Sequence, residues 1–458
     1  MNQKQPSYTL IIGLGKSGLS MAKFLHARGE RVVVTDIDPS TSDAAKELTA
    51  LGIQTQIGFH DQDTFNQADC MVPSPGIPLT SPYIQTAIKN SVPVKSELDI
   101  FYQNNKLPVI AITGTNGKTT TTTLIGEMLT ACGYHPFVCG NIGTPLVELF
   151  MSGQSHDTVV AYDIVVAEIS SFQMDISKAF RPDVGVLLNI SEDHLDRYKT
   201  FEAYQAAKWR LFEYQTNNDI AVINLDIQGF ETASKQLSAK IYGFSSKSVK
   251  TAVCQASISK DAIIIHTKKS IRKIKTNSLK ELPGTHNHEN IAAAILSGLA
   301  VNADISGLEN GLTTFKNLAH RIEFIRSVNG VKFYNDSKAT NTDAVIRAIQ
   351  CFEKNIVLIL GGRGKGTDFS QLIDTVKTSV KAIIALGETK STIKETFDSV
   401  CPTKLVSSMK EAVQAACACS TRGDIVLLSP ACASFDMYDN YAQRGFDFAT
   451  QVKELIEE

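Results

Sequence analysis

The residues best suited to chemistry form a short loop, Gly114-Thr115-Asn116-Gly117-Lys118-Thr119-Thr120-Thr121, between the apolar run Val109–Thr113 and a stretch of helical pattern. Glycines let a backbone close around an anion, and the N–H groups at a helix start point at it. Lys118 adds a positive charge, and the Thr119 hydroxyl is a hard oxygen ligand for Mg2+. The combination suits the β and γ phosphates of a nucleoside triphosphate. The spacing departs from G-x-x-x-x-G-K-[ST], because Ile112 stands where that pattern has its first glycine. The alternative is a Gly/Thr turn carrying a surface lysine.

A second glycine loop, Gly13-Leu14-Gly15-Lys16-Ser17-Gly18, follows an apolar strand and opens a helix, and Asp36 ends the next strand. This is the context of a dinucleotide fingerprint, though another nucleotide ligand or a structural tight turn fits the same pattern. Pro73-Ser74-Pro75-Gly76 falls after a further strand near the same sheet edge, and reads equally as a simple turn. Glu168 near the end of Ile164–Ile169, and Asp193-His194 after Val184–Asn189, lie where α/β sheets bind ligands. Singly, Glu168 reads as a strand-end cap, His194 as a hydrogen-bonded loop histidine, and Lys208 as a solvated helix lysine in Phe201–Tyr214. Their joint appearance beside the phosphate loop raises all three.

Positioning these groups requires strands that end in loops along one sheet edge. Apolar runs of strand length recur at Thr9–Gly13, Arg31–Asp36, Val109–Thr113, Ile164–Ile169, Val184–Asn189, Ala221–Asn224, Val357–Leu360, Ala382–Leu386 and Ile425–Leu428, separated by amphipathic stretches. Continuous apolar strands alternating with helices indicate parallel sheets covered on both faces, an α/β fold. The rhythm restarts twice, giving three blocks: 1–96, 97–318 and 319–458. The alternating region Thr251–Ser278 reads as an antiparallel excursion at the edge of the middle block. The length of 458 residues fits roughly three domains. A formal charge of −2 gives no general attraction to nucleic acid or anionic membranes. No apolar run is long enough to span a bilayer, and no secretory leader is expected. Nine cysteines without a C-x-x-C pair read as free thiols in a reducing compartment. The first loop alone would allow an NAD-dependent oxidoreductase, and the second a non-catalytic nucleotide-binding regulator.

In order along the chain, the Gly114–Thr121 loop is followed by Gly140-Asn141-Ile142-Gly143, Ala167-Glu168-Ile169-Ser170-Ser171-Phe172-Gln173, Glu192-Asp193-His194-Leu195-Asp196, Ala207-Lys208-Trp209-Arg210, Gly284-Thr285-His286-Asn287 with Asn290, and His320-Arg321. This series resembles the Mur ligases, ATP-dependent enzymes of peptidoglycan synthesis related to folylpolyglutamate synthetase, over essentially the whole chain. Asn335-Asp336-Ser337-Lys338-Ala339-Thr340-Asn341 and Leu428–Asp436 resemble the D-glutamate-adding members, rather than those adding L-alanine, the third residue or the dipeptide.

The resemblance implies a Rossmann-like UDP-binding domain at 1–96, a central P-loop ATPase-type parallel-sheet domain at 97–318, and a C-terminal Rossmann-like domain at 319–458. It implies ATP-dependent ligation of D-glutamate to UDP-N-acetylmuramoyl-L-alanine through an acyl phosphate, giving ADP and phosphate, in the bacterial cytoplasm. Catalysis would rest on Lys118, Asn141, His194 and Lys208. ATP would be bound by Gly114, Thr115, Asn116, Gly117, Lys118, Thr119, Thr120, Asn287, Asn290, Arg321, Asp336 and Lys338. Gly13, Leu14, Gly15, Lys16, Ser17, Gly18, Asp36, Ser74, Pro75, Gly76 and Asn141 would bind the UDP-substrate, so the first loop holds a UDP-sugar and no redox cofactor. Ile37-Asp38 depart from the polar or basic residues of relatives near uracil. D-Glutamate would meet Thr340, Lys365, Ser434 and Tyr441; without the resemblance, Lys365 reads as a loop cation and Ser434 as a helix N-cap. Arg363 departs from an acid found in some relatives. Two Mg2+ ions would be held by Thr119, Glu168, His194 and a carbamylated Lys208. The expected partners are the three substrates alone, with no nucleic acid, no membrane insertion and a monomeric chain. The third block is expected to move and close on ATP.

Overall fold

The computed structural model describes residues 7–141, 143–151, 161–247, 254–267, 270–276, 279, 282, 284–352, 354–364 and 366–456. Their strands are β1 (Thr9–Ile12), β2 (Val32–Asp36), β3 (Gln54–Ile57), β4 (Cys70–Pro73), β5 (Val109–Thr113), β6 (Pro136–Gly140), β7 (Ile164–Glu168), β8 (Val184–Leu187), β9 (Ile220–Asn224), β10 (Lys240–Ser245), β11 (Cys254–Ile258), β12 (Ala262–His266), β13 (Ile271–Lys275), β14 (Glu323–Val328), β15 (Val331–Asn335), β16 (Ile356–Leu360), β17 (Val380–Ala385), β18 (Thr403–Leu405) and β19 (Ile425–Leu428). They form three sheets, in the orders β3-β2-β1-β4, β13-β12-β11-β10-β9-β8-β5-β7-β6 and β14-β15-β19-β16-β17-β18. The α/β class expected from the apolar rhythm is therefore what the chain adopts.

The first sheet is parallel throughout. Alternate residues of its strands feed two cores: Ile11, Val32, Val34 and Val72 face one side, and Leu10, Ile12, Val33 and Met71 the other. A strand covered on both faces must be apolar at every position, which is why these runs lack the polar alternation of a surface sheet. Gly18 is required where the first helix, Lys16–Ala27, crosses the strand end, because a Cβ there would lie 1.9 Å from the Gly13 carbonyl oxygen.

The central sheet is parallel from β6 to β11. Only β11–β12 and β12–β13 pair antiparallel, at the sheet's far end, where the alternating sequence led us to expect an excursion. Residues 251–253, 268–269 and 277–278 of that region lie outside the described set. One face packs on the helices Lys118–Ala131 and Thr285–Ala300 through Leu124, Met128, Ile291 and Ile295. The third sheet is parallel except for β14–β15. No helix among the described residues is long and apolar enough to cross a membrane, and all nine cysteines are free thiols.

Candidate active site

β5 lies between β7 and β8, and the Gly114–Thr121 loop leaves its C-terminal end to start the helix Lys118–Ala131. Asn189, just beyond β8, braces this loop: the Asn116 N–H donates to its Oδ1 (2.8 Å), and its Nδ2 donates to the Asn116 carbonyl (3.0 Å). Gly117 has φ +84°, and a Cβ there would come 2.3 Å from Asn290 Oδ1, so both backbone and neighbour demand glycine. Thr115 Oγ1 lies 3.1 Å from the Tyr204 hydroxyl. The Thr119 hydroxyl donates to Glu168 Oε2 (2.8 Å), while Asn141 Nδ2 donates to Glu168 Oε1 (3.2 Å). The last residue of β7 thus joins two loops that sequence spacing could only place separately.

Lys118 Nζ folds back onto the carbonyls of Gly114 (2.8 Å) and Thr115 (2.9 Å). Lys208 arrives from the helix Phe201–Trp209 and donates to the same Gly114 carbonyl at 2.9 Å, with its ammonium 4.5 Å from the centre of the Tyr204 ring. It is 1% exposed, so the solvated-lysine alternative is excluded. Burial, then the charge of Lys118, hold its pKa well below the usual lysine value, against the pull of Asp193, Glu168 and Asp175. Lys118 is lowered by burial too, with Glu168 and Asp193 opposing. His194 takes a left-handed backbone (φ +54°) and meets the Phe172 ring edge-on at 4.8 Å, with Nε2 3.8 Å from Asp193 Oδ2.

The third sheet brings in further charge. Asn116, Gly117, Thr120, Asn287, Asn290, Arg321, Asp336 and Lys338, all expected to bind ATP, line one cavity of about 80 Å³. His286, quoted in the sequence only within its motif, lines it too, as do Asn317 and Arg347, which the sequence did not single out. Asp336 sits at the end of β15, accepting from Ser429 Oγ (2.9 Å) and the Ile322 N–H (3.2 Å), and burial raises its pKa to about 7. Burial, then the charge of Arg321, lowers Lys338 to about 8. Three cations, Lys118, Arg321 and Lys338, therefore gather around the carboxylate of Glu168, with Asp193 also facing Lys118. The surplus positive charge suits a polyphosphate.

The Lys338 ammonium lies 3.8 Å from the centre of the Tyr441 ring, and Tyr441 lines a larger neighbouring cavity of about 380 Å³. That cavity brings together Thr340, Ser434 and Tyr441 with His194 and Asp193. Lys365 lies outside the described residues. Ser434 does not cap the last helix, whose N-cap is Asn440; its carbonyl accepts from the N–H groups of Met437 and Tyr438. Arg363, at the cavity rim, pairs with Glu388 at 2.8 Å.

At the first sheet, Asp36 Oδ2 accepts from the Leu14 N–H (2.6 Å), and Ser74 Oγ donates to the Gly13 carbonyl (3.0 Å). The loops after β1, β2 and β4 thus form one cradle. Gly15, Lys16 and Ser17 start the helix at its mouth. The Pro75 carbonyl, next to Gly76, accepts from Arg197 Nη1 (3.0 Å), which ties this cradle to the segment following His194.

Three family models match consecutive stretches: Mur ligase MurD-like, N-terminal domain (residues 7–96), Mur ligase middle domain (112–298) and Mur ligase, glutamate ligase domain (320–432). Among curated relatives, a UDP-N-acetylmuramoylalanine--D-glutamate ligase from Geotalea daltonii is 41% identical over 449 residues, covering 97% of each chain. One of the same name from Desulfosudis oleivorans is 40% identical over 451 residues, covering 98% of this chain and 96% of the relative. Among solved structures, MurF from Acinetobacter baumannii superposes with a TM-score of 0.61 at 16% identity, covering 96% of this chain and 93% of that one. MurF from Thermotoga maritima in complex with ADP gives 0.59 at 16% identity, covering 99% and 100%.

Proposed function

The chain belongs to the Mur ligase family, and from that membership we propose that it joins D-glutamate to UDP-N-acetylmuramoyl-L-alanine with conversion of ATP to ADP and phosphate, as a step of peptidoglycan precursor synthesis. The observation that carries the reading is the convergence of three loops on one place. The phosphate loop, the Lys338 segment and the cavity of Thr340, Ser434 and Tyr441 meet across the contact between Lys338 and Tyr441.

A carboxylate does not condense with an amine in water, because hydroxide is a poor leaving group. In the proposed reaction an oxygen of the L-alanyl carboxylate attacks the γ-phosphorus, the bond to ADP breaks, and an acyl phosphate forms. The D-glutamate amine then attacks the acyl carbon, and the tetrahedral adduct expels phosphate. The first step brings two anions together. The N–H groups of the Gly114–Thr119 loop, Lys118, Arg321 and Lys338 offset that repulsion. Asn290 and Asn287 are assigned to adenine, Asp336 to ribose hydroxyls, and Ser434 and Thr340 to the substrate carboxylates. The cradle of Gly13–Gly18, Asp36 and Ser74 is assigned to the UDP portion, its helix start facing the diphosphate.

The donor set fits Mg2+. Thr119 Oγ1 and Glu168 Oε2 are hard oxygens 2.8 Å apart. Among the described residues no group of three His, Cys, Asp or Glu side chains could hold a metal by itself, so phosphate oxygens of ATP would complete the ligands. Lys208 and His194 are assigned to a second ion, Lys208 as its carbamate. Its buried, charge-depressed amine is the form that adds CO2. Bound Mg2+ supplies neutralisation of phosphate charge. The reaction is assigned to the bacterial cytoplasm, the compartment that supplies ATP and the UDP-linked substrate, and a single chain contributes every residue named.

The test is phosphate release from ATP and Mg2+ with UDP-N-acetylmuramoyl-L-alanine, offering D-glutamate, L-glutamate, L-alanine and meso-diaminopimelate in turn. Release that requires D-glutamate, with a product heavier by one glutamyl residue, is expected. Release with a different amino acid would overturn the assignment of the cavity.

A further inference from the structure

The last helix, Tyr441–Lys453, buries Arg444, Phe448 and Val452, which share one face at a spacing of four residues. Arg444 is only 2% exposed, yet among the described residues it forms no ion pair. Its donors go instead to two loops. Nε donates to Ser337 Oγ (2.9 Å), Nη2 to the Ser337 carbonyl (2.8 Å), and both Nη1 and Nη2 to the Cys432 carbonyl (3.1 Å each). Ser337 Oγ donates onward to the Tyr441 carbonyl (2.8 Å), which returns the chain of bonds to the helix that carries Arg444.

These contacts fall at informative places. Ser337 follows β15 and directly precedes Lys338. Cys432 follows β19 and stands two residues before Ser434. A third loop, after β16, is pressed against the same group: a Cβ on Gly362 would lie 3.1 Å from Arg444 Nη1 and 2.4 Å from the Ala433 carbonyl oxygen. Next to it, Arg363 and Ala433 exchange backbone hydrogen bonds (2.9 and 3.2 Å). One planar fork therefore fastens the loops after β15 and β19, with the loop after β16 packed against it. Asp436 acts on the guanidinium only from beyond ion-pair distance, and a guanidinium buried without a carboxylate in direct contact carries a desolvation cost that packing alone does not justify. Burial brings its pKa down to about 10, so the group remains a cation at neutral pH.

We propose that Arg444 is a positioning residue that determines selection of the dianionic amino acid. Its fork sets the spacing of the loops after β15, β16 and β19, and its charge, unpaired within the described protein, stands behind the wall of Ala433, Ser434 and Tyr441 to favour a ligand with two carboxylates. This rests on the D-glutamate reading of that cavity. A lysine keeps the charge but presents a single donor centre, which cannot hold one hydroxyl and two carbonyls in a plane.

The experiment is steady-state phosphate release by the full chain, measured for wild type, R444K, R444Q and S337A, with KM determined separately for ATP, UDP-N-acetylmuramoyl-L-alanine and D-glutamate. Wild-type turnover that requires D-glutamate comes first. If wild type uses another amino acid or none, the reading of the cavity has failed, and the role of Arg444 in selecting D-glutamate falls with it. Given that turnover, R444K is expected to raise the KM for D-glutamate about tenfold or more, since a displacement near 1 Å suffices for such an effect. The other two KM values should stay within about twofold, with kcat reduced less than the affinity. R444Q should be worse, and S337A intermediate. An unchanged KM for D-glutamate in a cooperatively unfolding R444K or R444Q, or an equal rise in all three KM values, overturns the proposal. Should both Arg444 variants fail to fold, S337A decides: the same split supports the proposal, and an unchanged KM for D-glutamate overturns it.

Discussion

Lys118 and Lys208 donate to one carbonyl oxygen, that of Gly114, at 2.8 and 2.9 Å. Two ammonium groups on a shared acceptor repel, and burial deprives both of water. Burial lowers the pKa of each, that of Lys208 well below the usual lysine value, with the charge of Lys118 adding to the depression. Burial and the charge of Lys118 favour the neutral amine of Lys208, the form that reacts with CO2.

The first expectation concerns that reaction. Enzyme held in CO2-depleted buffer should lose activity and regain it with bicarbonate, and 13C-labelled bicarbonate should give a carbamate signal that K208M lacks. K208M should lose on the order of 10²-fold in kcat while still binding ADP. Full activity of the wild type without CO2 would remove the carbamate from the mechanism.

The second concerns Asp343, in the helix Thr342–Ile349 of the C-terminal third. Its Oδ2 accepts from Asn116 Nδ2 of the phosphate loop (2.7 Å), from Ser191 Oγ (3.1 Å) and from Arg347 Nε (2.8 Å), and Arg347 lines the nucleotide cavity. Asn341, two residues earlier, donates to Asp193 (3.0 Å). Hydrogen bonds to a partly buried charge contribute about 1.5–3 kcal/mol. D343A should therefore raise the KM for ATP roughly tenfold or more. Small-angle scattering with an ATP analogue and UDP-substrate should show less compaction in D343A than in wild type. Equal compaction and an unchanged KM would mean that the contact is incidental.

The third concerns Glu97, buried where the helix Glu97–Asn104 joins the first and central sheets. Gln173, the Leu146 N–H and Ser17 face its carboxyl, but among the described residues neither oxygen has a partner at hydrogen-bonding distance. Burial raises its pKa to about 7, and burial, then the charge of Glu97, raises the Cys139 thiol. An unfolded glutamate titrates near ~4.3. Between those values the native state binds more protons than the unfolded one, so stability falls as pH rises from ~4.3 to 7 and then levels. E97Q should lack that slope and gain about 3–4 kcal/mol at pH 8 relative to wild type. Denaturant titrations at pH 5 and pH 8 read this directly, and identical slopes in both proteins would refute it.

The fourth concerns Lys338, which burial and Arg321 lower to about 8. It is charged below that value and neutral above it, so kcat/KM for ATP should decline as pH rises through about 8. K338R, which keeps its charge, should move that limb upward. A wild-type profile that is flat to pH 9 would rule out the role of the Lys338 charge in ATP capture.

The amino-acid sequence by itself determined the local features of this protein. Apolar runs such as Val32–Asp36 and Val109–Thr113 became parallel strands because every residue of a strand covered on both faces must be apolar. Gly18, opening the first helix, stands where a Cβ would strike the Gly13 carbonyl. Both follow from spacing within a few residues, which is all that a pattern in one chain encodes. The tertiary structure alone decided what surrounds each side chain. Asp343 and Arg347 gave no signal in the sequence, and the packed structure alone sets Asp343 against Asn116 and Ser191, with Arg347 beside it. Lys208 reads as a solvated lysine until the Phe201–Trp209 helix buries it under Tyr204. Arg444 left one faint trace, a charge in register with Phe448 and Val452. The reason is that burial and charge pairing depend on groups hundreds of positions apart, as with Asn116 and Asp343, whose contact exists only once separate sheets have packed.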